Sequence, residues 1–355
     1  MSNGRVEKLR RVLAEKELDA MFISQPDNRF YFSGFNGSAG YLLITQKETL
    51  LATDFRYLEQ VKEQAPDYEL FRITGNVKEW FPGLIGDHGI RNLGFESSDI
   101  THAAYRQLSE ALKQAEASVR MVPTEGMAEE LRAVKEPEEI ELTKQAVAIT
   151  DRAHAFIEET IRPGMTELEV AWELEKFQRD NGSGAMPFGI IVASGPNSAM
   201  PHHQPSERKI NAGEPVVIDM GASVGGYCSD FTRTLCIGEP DETFTKVYDT
   251  VLGAQLAAIS LIKAGITGSE ADGFARTVIE EAGYGEQFGH SLGHGTGLAA
   301  HEQPRVGPNS NDILTDGMVF SVEPGIYLPG WGGVRIEDLA MLENGEINVL
   351  SQGRK

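Results

Sequence analysis

The stretch VVIDMGASVGGYCSDFTRT, residues 216–234, decides the fold of the second part of the chain. Its β-branched and aromatic residues predict two strands, and its glycines predict a turn over residues 223–226. Asp219 and Asp230 interrupt these otherwise apolar strands. A hairpin that turns at the centre of SVGG places the two aspartates opposite each other, about 5 Å apart. Like charges so close destabilise a sheet, so either a cation lies between them or one of them is protonated.

A second acidic pair follows near the end of the chain. The stretch VFSVEPGIYLPGWGGVRIED, residues 319–338, predicts two strands joined by a turn near residues 329–331. That turn places Glu323 opposite Glu337. An isolated acidic pair on a hairpin is commonly solvated surface, and this remains the alternative for either pair alone. Two such pairs inside apolar strands favour a site for hard metal ions.

Five of the eight histidines lie in two short clusters, MPHHQP (200–205) and GHSLGHGTGLAAHE (289–302). Four glycines bracket His290 and His294, which indicates backbone packed closely around a site. The helical zinc motif HExxH is absent. Four carboxylates and one imidazole form an oxygen-rich donor set, which can hold two divalent ions and favours manganese, cobalt or iron over the sulfur-rich sites of zinc.

Composition restricts the classes of partner. Lys and Arg number 32 against 53 Asp and Glu, which gives a net charge of −21. Because a surface this acidic repels phosphate groups, nucleic acid and anionic membranes are not expected as partners.

Two cysteines without a CxxC motif indicate a reducing compartment. No apolar run is long enough for a membrane span and no signal peptide is evident, so a soluble cytoplasmic protein is expected.

A chain of 355 residues suggests about two domains. Alternating helix and strand signals predict a small α/β domain over residues 1–122. Two helical pairs, each followed by glycine-rich strands, predict a duplicated α+β domain over residues 123–355. Helices are expected at 5–17, 57–65, 101–115, 127–161, 167–180, 242–264 and 269–282, and strands at 20–24, 41–54, 92–97 and within 188–237.

Several ordered stretches resemble the pita-bread metallopeptidases, specifically the proline peptidases (Xaa-Pro dipeptidase, or prolidase, and Xaa-Pro aminopeptidase). They are SGPNSAMPHHQP, VVIDMGASVGGYCSDFTRT, FGHSLGHGTGLAAHEQPRVG, VFSVEPGIYLP and GGVRIED. The first domain resembles, more loosely, the N-terminal domain of creatinase and prolidase. The resemblance implies a creatinase/aminopeptidase-like catalytic domain over residues 123–355.

The resemblance also implies a dinuclear metal site with five ligands, Asp219, Asp230, His294, Glu323 and Glu337. In the family pattern Asp230 and Glu337 bridge the two ions, Asp219 completes one of them, and His294 and Glu323 complete the other. Manganese or cobalt is expected, with iron and zinc as alternatives. Two such ions hold a bridging hydroxide that attacks the Xaa-Pro bond. Glu323 is then the expected proton carrier.

Four further residues are expected around the substrate. His202 and His301 resemble the family's outer histidines, which stabilise the oxyanion that forms on the scissile carbonyl. His290 is expected in the wall of the pocket for the proline ring. Phe188 is either a substrate contact or a core residue. The neighbouring His203 has no role that the sequence indicates.

Two arginines complete the expected site. Arg305 resembles the prolidase arginine that clamps the free carboxylate of a dipeptide, which favours dipeptide cleavage. Arg335 precedes Glu337 by two residues on the same strand face and is expected to steady the carboxylates. Short proline-containing peptides are the expected substrates, and a homodimer is expected, as is usual in the family. An Xaa-Pro aminopeptidase, and a non-catalytic peptide-binding protein on the same fold, are the alternatives.

Overall fold

Strands and helices alternate along the first part of the chain, as the sequence predicts. The computed structural model describes residues 2–86 and 88–355, and the chain divides into two units, Met1–Arg132 and Ala133–Lys355. The helices that begin in the first unit are α1 (Ser2–Glu15), α2 (Pro26–Ser33), α3 (Leu58–Gln64), α4 (Val77–Ile85), α5 (His102–Gln114) and α6 (Met127–Ala133). Its strands are β1 (Ala20–Ile23), β2 (Tyr41–Thr45), β3 (Thr49–Thr53), β4 (Glu69–Arg72), β5 (Asn92–Glu96) and β6 (Arg120–Thr124).

The strands of the first unit form a mixed sheet with the order β4–β3–β2–β1–β5–β6. β1 pairs antiparallel with β2 and parallel with β5, so the first unit is an α/β structure. Phe22 lies buried at the centre of β1, where its ring packs against Tyr41 and Phe81. β6 contains residue 123, near which the domain boundary is predicted, and it pairs with β5.

The expected single strand over residues 41–54 is wrong, because β2 and β3 form an antiparallel hairpin there. The connecting residues QKE contain no glycine, proline or asparagine, so the usual turn signal is missing. The hydroxyl of Thr45 supplies the turn instead, since it accepts hydrogen bonds from the backbone N–H groups of Lys47 and Glu48. The short helices α2 and α4 were not predicted either. α2 begins at Pro26, and the side chain of Gln25 caps it.

The second unit carries the helices and strands that build the site. Its helices are α7 (Pro137–Thr160), α8 (Glu167–Asp180), α9 (Glu242–Leu261) and α10 (Gly268–Glu281). Its strands are β7 (Ile191–Ser194), β8 (Pro215–Met220), β9 (Ser223–Val224), β10 (Tyr227–Cys228), β11 (Phe231–Cys236), β12 (Gly293–Gly295), β13 (Glu302–Val306), β14 (Val319–Val322), β15 (Gly325–Leu328), β16 (Gly332–Arg335), β17 (Asp338–Glu343) and β18 (Glu346–Val349).

The second unit has the predicted duplicated α+β architecture. The helix pair α7–α8 leads into a sheet with the order β11–β8–β7, and the pair α9–α10 leads into a sheet with the order β13–β12–β14–β17–β18. The turn between the helices is the same in both halves. Gly164 and Gly265 both have a φ of 93°, and Thr166 and Thr267 each cap the following helix through a capping box. Such a turn needs glycine, because other residues rarely adopt a positive φ.

The single helix predicted over residues 127–161 is wrong, because α6 ends at Ala133 and α7 begins at Pro137. The residue before a proline is disfavoured in helical conformation, and proline is favoured at the first position of a helix. Glu136 and Glu139 form a capping box at this start.

Among the described residues, no helix is both long enough and apolar enough to span a membrane.

His154 on α7 is buried, and its ring centroid lies 5.3 Å from that of Phe231. Burial, assisted by the charge of Arg233, lowers the pKa of His154 to about 4, whereas an unfolded histidine has a pKa of about 6.5. The unfolded chain therefore binds the proton more tightly than the folded chain. The stability that neutral His154 contributes is present above pH ~6.5 and is lost as the pH falls toward the folded pKa.

We expect His154→Leu to reduce the acid sensitivity of the fold. Between about pH 7.5 and about pH 5 the wild-type chain should lose about 2 kcal/mol more unfolding free energy than the variant. Urea titrations followed by tryptophan fluorescence at both pH values measure this difference. His102→Leu, on the exposed surface of α5, is the matched control and should behave as wild type. Equal losses for wild type and His154→Leu would contradict the expectation.

Candidate active site

The first acidic hairpin turns one residue later than predicted. Val224 pairs with Tyr227, so the turn residues are Gly225 and Gly226, with φ values of 58° and 88°. A two-residue hairpin of this kind requires a positive φ at both turn positions, which places the turn on the two glycines. As a result Thr232 lies opposite Asp219, and the predicted direct opposition of Asp219 and Asp230 is wrong.

Asp219 and Asp230 nevertheless face the same cluster. Asp230 precedes Thr232 by two residues, so it lies on the same strand face and diagonally from Asp219. One carboxylate oxygen each from Asp219, Asp230 and Glu337 lies within 4.8 Å of the others. The expected proximity of the two aspartates is therefore confirmed, although their register is not.

The second acidic hairpin has the predicted register. β15 pairs with β16 so that Gly325 lies opposite Arg335, and β14 pairs with β17 so that Val322 lies opposite Asp338. Both ladders share one register, and Glu323 and Glu337 occupy the break between them. Pro324 lacks an N–H group, which weakens the ladder at this point.

The break in the second hairpin joins it to the first. The backbone N–H of Glu337 donates to the carbonyl of Thr232 at 3.0 Å, and the hydroxyl of Thr232 donates to Glu337 Oε2 at 2.6 Å. The N–H of Glu323 donates to the carbonyl of Leu292 at 2.8 Å. These bonds bring the carboxylates of both hairpins together on rigid backbone.

His294 enters the cluster from β12, between Gly293 and Gly295. A Cβ atom at either glycine would lie 2.0 Å from a backbone oxygen of the neighbouring strands, so only glycine fits there. His294 Nδ1 donates to the carbonyl of Gly295 at 3.1 Å, which directs Nε2 toward the carboxylates. Nε2 lies 3.3 Å from Glu323 Oε1 and 3.7 Å from Asp230 Oδ2.

The buried carboxylates carry an excess of negative charge. Burial raises the pKa of Asp230 well above its ordinary value, and the neighbouring Asp219 raises it further. Burial and the charge of Asp230 have the same effect on the pKa of Glu337. Burial also acts on Glu323, but the hydrogen bond and charge of His294 outweigh it and lower the pKa of Glu323 to about 2. The cluster thus strongly favours the binding of cations.

Asp219 gives the clearest sign that the donor set fits a metal ion. Arg335 Nη2 donates to Asp219 Oδ2 at 2.7 Å. The other oxygen, Oδ1, is buried, and no polar group of the described residues forms a hydrogen bond with it. A buried carboxylate oxygen without a donor is unfavourable unless something positive binds it. With His294 and the other carboxylates, this set fits divalent ions that prefer oxygen and imidazole ligands.

Arg335 is buried, and its guanidinium bonds to four groups, one of which is the carbonyl of Pro201, 3.4 Å from Nη1. Besides Asp219, it donates from Nη1 to the hydroxyl of Tyr327 at 2.9 Å and from Nε to Thr232 Oγ1 at 3.2 Å. Tyr327 in turn lies 3.1 Å from His290 Nε2. Among the carboxylates of the cluster in the described residues, Arg335 bonds to that of Asp219, and its contacts extend to the aromatic wall of the site.

A cavity of about 750 Å³ opens above the cluster. All eleven residues that the sequence singles out contribute to its lining: Phe188, His202, Asp219, Asp230, His290, His294, His301, Arg305, Glu323, Arg335 and Glu337. The ring of His301 lies 4.0 Å from that of His294. His202, His301 and Arg305 are exposed, whereas Asp230 and Glu337 are buried.

Three residues of the site were missed at the sequence level, namely Thr232, Ser321 and Tyr327. The hydroxyl of Ser321 accepts from the N–H of His294 and donates to Glu323 Oε1 at 2.8 Å. Strand alternation was the available signal, because Ser321 and Tyr327 differ from Glu323 by even numbers of residues. Thr232 has the same relation to Asp230.

Comparison with known proteins agrees with this geometry. Residues 141–344 match the profile of metallopeptidase family M24, and residues 5–134 match the creatinase/prolidase N-terminal domain. The Xaa-Pro dipeptidase of Pyrococcus horikoshii is 38% identical, and the match covers 99% of this chain and 98% of that protein.

Solved structures extend the likeness to the whole fold. An Xaa-Pro dipeptidase from Bacillus anthracis has 42% sequence identity and a TM-score of 0.96, with 100% of this chain and 99% of that chain covered. An X-Pro aminopeptidase from Thermotoga maritima has 37% identity and a TM-score of 0.91, with 98% of each chain covered. The predicted pita-bread fold is confirmed. A creatinase/prolidase N-terminal domain thus precedes a hydrolytic domain, and the chain belongs to metallopeptidase family M24.

Proposed function

We propose that this chain is an Xaa-Pro dipeptidase that hydrolyses the bond between the first residue of a dipeptide and its C-terminal proline. One observation favours dipeptides over longer peptides as substrates. Arg305 lies directly across from His294 on the neighbouring strand β13, so both side chains leave the same face of the sheet. Adjacent strands are about 4.8 Å apart. A guanidinium that can bind a free carboxylate therefore lies within a short peptide's length of the acidic cluster.

We propose manganese or cobalt as the cofactor, with iron and zinc as alternatives. Asp219 would hold one ion, His294 and Glu323 the other, and Asp230 and Glu337 both. Bound ions of this kind polarise a carbonyl and lower the pKa of water toward neutrality. Two observations support this assignment: the cluster of carboxylates, and the buried Oδ1 of Asp219, which accepts no hydrogen bond from the described residues.

The chain's own residues would move the protons. Ser321 donates to Glu323 Oε1, and His294 lies beside the same oxygen. We therefore assign Glu323 Oε2 to take the proton of the attacking water and to pass it to the proline nitrogen. His202 and His301 would donate to the carbonyl oxygen as negative charge develops on it.

The remaining wall of the cavity suits a proline ring. His290 is tied through its Nε2 to Tyr327, which Arg335 holds in place. Phe188 is half-buried and lines the same cavity. Because the nitrogen of an Xaa-Pro bond carries no hydrogen, recognition has to come from ring contacts such as these and from the carboxylate clamp.

Arg305→Ala is expected to raise KM for Xaa-Pro dipeptides about 10-fold to 100-fold, since hydrogen bonds to charged groups contribute about 1.5–3 kcal/mol. An Xaa-Pro-Yaa tripeptide carries its carboxylate one residue further on, so its KM should change less. Steady-state kinetics with both substrates measure the effect. Arg162→Ala, an exposed arginine outside the cavity, is the control.

The wild-type protein separates the alternatives. Metal analysis combined with a dipeptide and tripeptide panel on one preparation is the decisive experiment. Cleavage restricted to tripeptides and longer peptides would identify an Xaa-Pro aminopeptidase, an activity that the Thermotoga maritima relative is named for. Binding of peptides without cleavage at any divalent metal would identify a non-catalytic binding protein. A cytoplasmic location and a homodimer stay predictions.

A further inference from the structure

The first residue of α8, Glu167, gathers an unusual number of hydrogen bonds on one buried carboxylate. Its side chain is 0% exposed. Oε1 accepts from Ser194 N at 2.8 Å, Ser194 Oγ at 2.7 Å and Asn197 Nδ2 at 3.0 Å. Oε2 accepts from Ser206 N at 3.0 Å, Ser206 Oγ at 2.6 Å and His203 Nε2 at 2.9 Å. Two oxygens thus bind donors from both ends of one loop.

The carboxylate of Glu167 is charged in this environment. Burial alone would raise its pKa, but the hydrogen bonds from Ser206, His203 and Ser194 outweigh burial and lower the pKa to about 2. The N-terminus of a helix also favours negative charge. A buried anion is stable only when its oxygens are satisfied, so Glu167 and its donors depend on each other.

The donors belong to residues 194–206, which we call the His202 loop. Besides His202 itself, Pro201, His203, Gln204 and Pro205 of this loop line the cavity. No polar group of the described residues is hydrogen-bonded to the His202 ring, so the position of that ring depends on the loop backbone. The second acidic hairpin also holds this loop. The N–H of Gly333 donates to Ser198 Oγ at 2.8 Å, and Arg335 Nη1 donates to the carbonyl of Pro201 at 3.4 Å.

We infer that Glu167 is a positioning residue that fixes the His202 loop, so that the His202 ring is held beside the substrate carbonyl. This inference rests on the proposed role of His202. It also gives His203 a function that the sequence did not indicate. His203 also lines the cavity, but its Nε2 lies 2.9 Å from Glu167 Oε2, so it contributes one of the bonds that anchor the loop.

The first test is Glu167→Gln. Glutamine keeps the size of the side chain but replaces one acceptor oxygen with an NH₂ group, which then faces donors. We expect kcat for an Xaa-Pro dipeptide to fall about 10-fold to 100-fold with KM nearly unchanged, because the interaction lost is one made in the transition state. Glu169→Gln, two residues on, is the matched control, since among the described residues the side chain of Glu169 bonds only to Thr166. An unchanged kcat in Glu167→Gln would overturn the inference.

A double-mutant cycle tests whether Glu167 acts through His202. If it does, Glu167→Gln should lower kcat little further once His202→Ala is present, because the two changes remove the same interaction. An equal fall in both backgrounds would overturn the inference. So would a His202→Ala variant with wild-type kcat. Ser206→Ala, which removes only one donor, should show a smaller fall in kcat and the same lack of additivity, and it serves if Glu167→Gln folds poorly.

Amide hydrogen exchange separates this inference from the proposed function, because it needs no substrate. Exchange of the peptide containing residues 194–206 should speed up in Glu167→Gln and stay at the wild-type rate in Glu169→Gln. Unchanged exchange would overturn the anchoring role even in an active enzyme. A wild-type protein that cleaves no Xaa-Pro peptide would refute the proposed function while the exchange result still reports on the anchor.

Discussion

Asp230→Asn is expected to stabilise the metal-free protein and to abolish metal-dependent activity. One carboxylate oxygen each of Asp230, Asp219 and Glu337 lies within 4.8 Å of the others in a largely buried cluster. At neutral pH the folded chain has either to hold these like charges together or to keep a proton on Asp230, and both are unfavourable relative to the unfolded chain. A neutral asparagine removes the conflict. Functional sites commonly lower stability, and a single stabilising substitution contributes about 0.5–2 kcal/mol.

The same substitution should weaken metal binding strongly. Removing one partner from a buried charged cluster costs about 3–5 kcal/mol, which is on the order of 10²–10⁴-fold in affinity. Thermal denaturation with chelator and with added manganese measures both effects. In chelator the variant should have the higher midpoint, by about 2–4 °C for each kcal/mol of added stability. Added manganese should raise the midpoint of the wild type more than that of the variant.

Asp180→Asn provides the matched control, because Asp180 is exposed and, in the part of the chain that the structure describes, pairs only with Lys176. Surface pairs of this kind contribute about 0–1 kcal/mol, so neither midpoint should move appreciably. If Asp230→Asn had a lower midpoint than wild type in chelator, charge repulsion in the cluster would not limit the stability of the metal-free protein. Retained manganese binding at the wild-type affinity would show that Asp230 is not a ligand.

The contrast between the two hairpins shows which parts of the site a sequence reveals. The second hairpin was registered correctly because Pro329 and Gly330 mark its turn clearly. In the first, the tetrapeptide SVGG allowed two turn positions, and only the demand for positive φ at both turn residues selects Gly225 and Gly226. The sequence still predicted that the two aspartates are close together. Side chains alternate between the two faces of a strand, so Asp219 and Asp230 lie on one face in either register, directly opposed or diagonal.

Other features of the site could not be read from spacing. The donors to Glu167 are spread from Ser194 to Ser206, and no periodicity connects them to the first residue of a helix. The contact between Thr232 and Glu337 joins two hairpins that are distant in sequence. Local patterns report neighbours along a strand or a helix, whereas these contacts arise only when whole elements pack together.

Arg335→Met is expected to have the opposite effect on the metal-free protein. The guanidinium of Arg335 is buried, and it bonds at once to four groups, on Asp219, Tyr327, Thr232 and Pro201. Its loss leaves Asp219 as a buried carboxylate without its cation, which costs about 3–5 kcal/mol. In the presence of chelator, the thermal midpoint of the variant should lie below that of wild type, by about 2–4 °C for each kcal/mol of lost stability. Arg179→Met, an exposed arginine paired with Glu175, is the control.

Two further variants show whether charge or shape is responsible. Arg335→Lys keeps the charge beside Asp219, so it should be more stable than Arg335→Met. Its single ammonium group cannot reach all four partners of the guanidinium, so it should still bind manganese about 10-fold to 100-fold more weakly than wild type. Asp219→Asn added to Arg335→Met should recover much of the lost stability, because the unpaired buried charge is gone. If this double variant is no more stable than Arg335→Met alone, the destabilisation comes from lost packing, and Arg335 does not act by balancing the charge of Asp219.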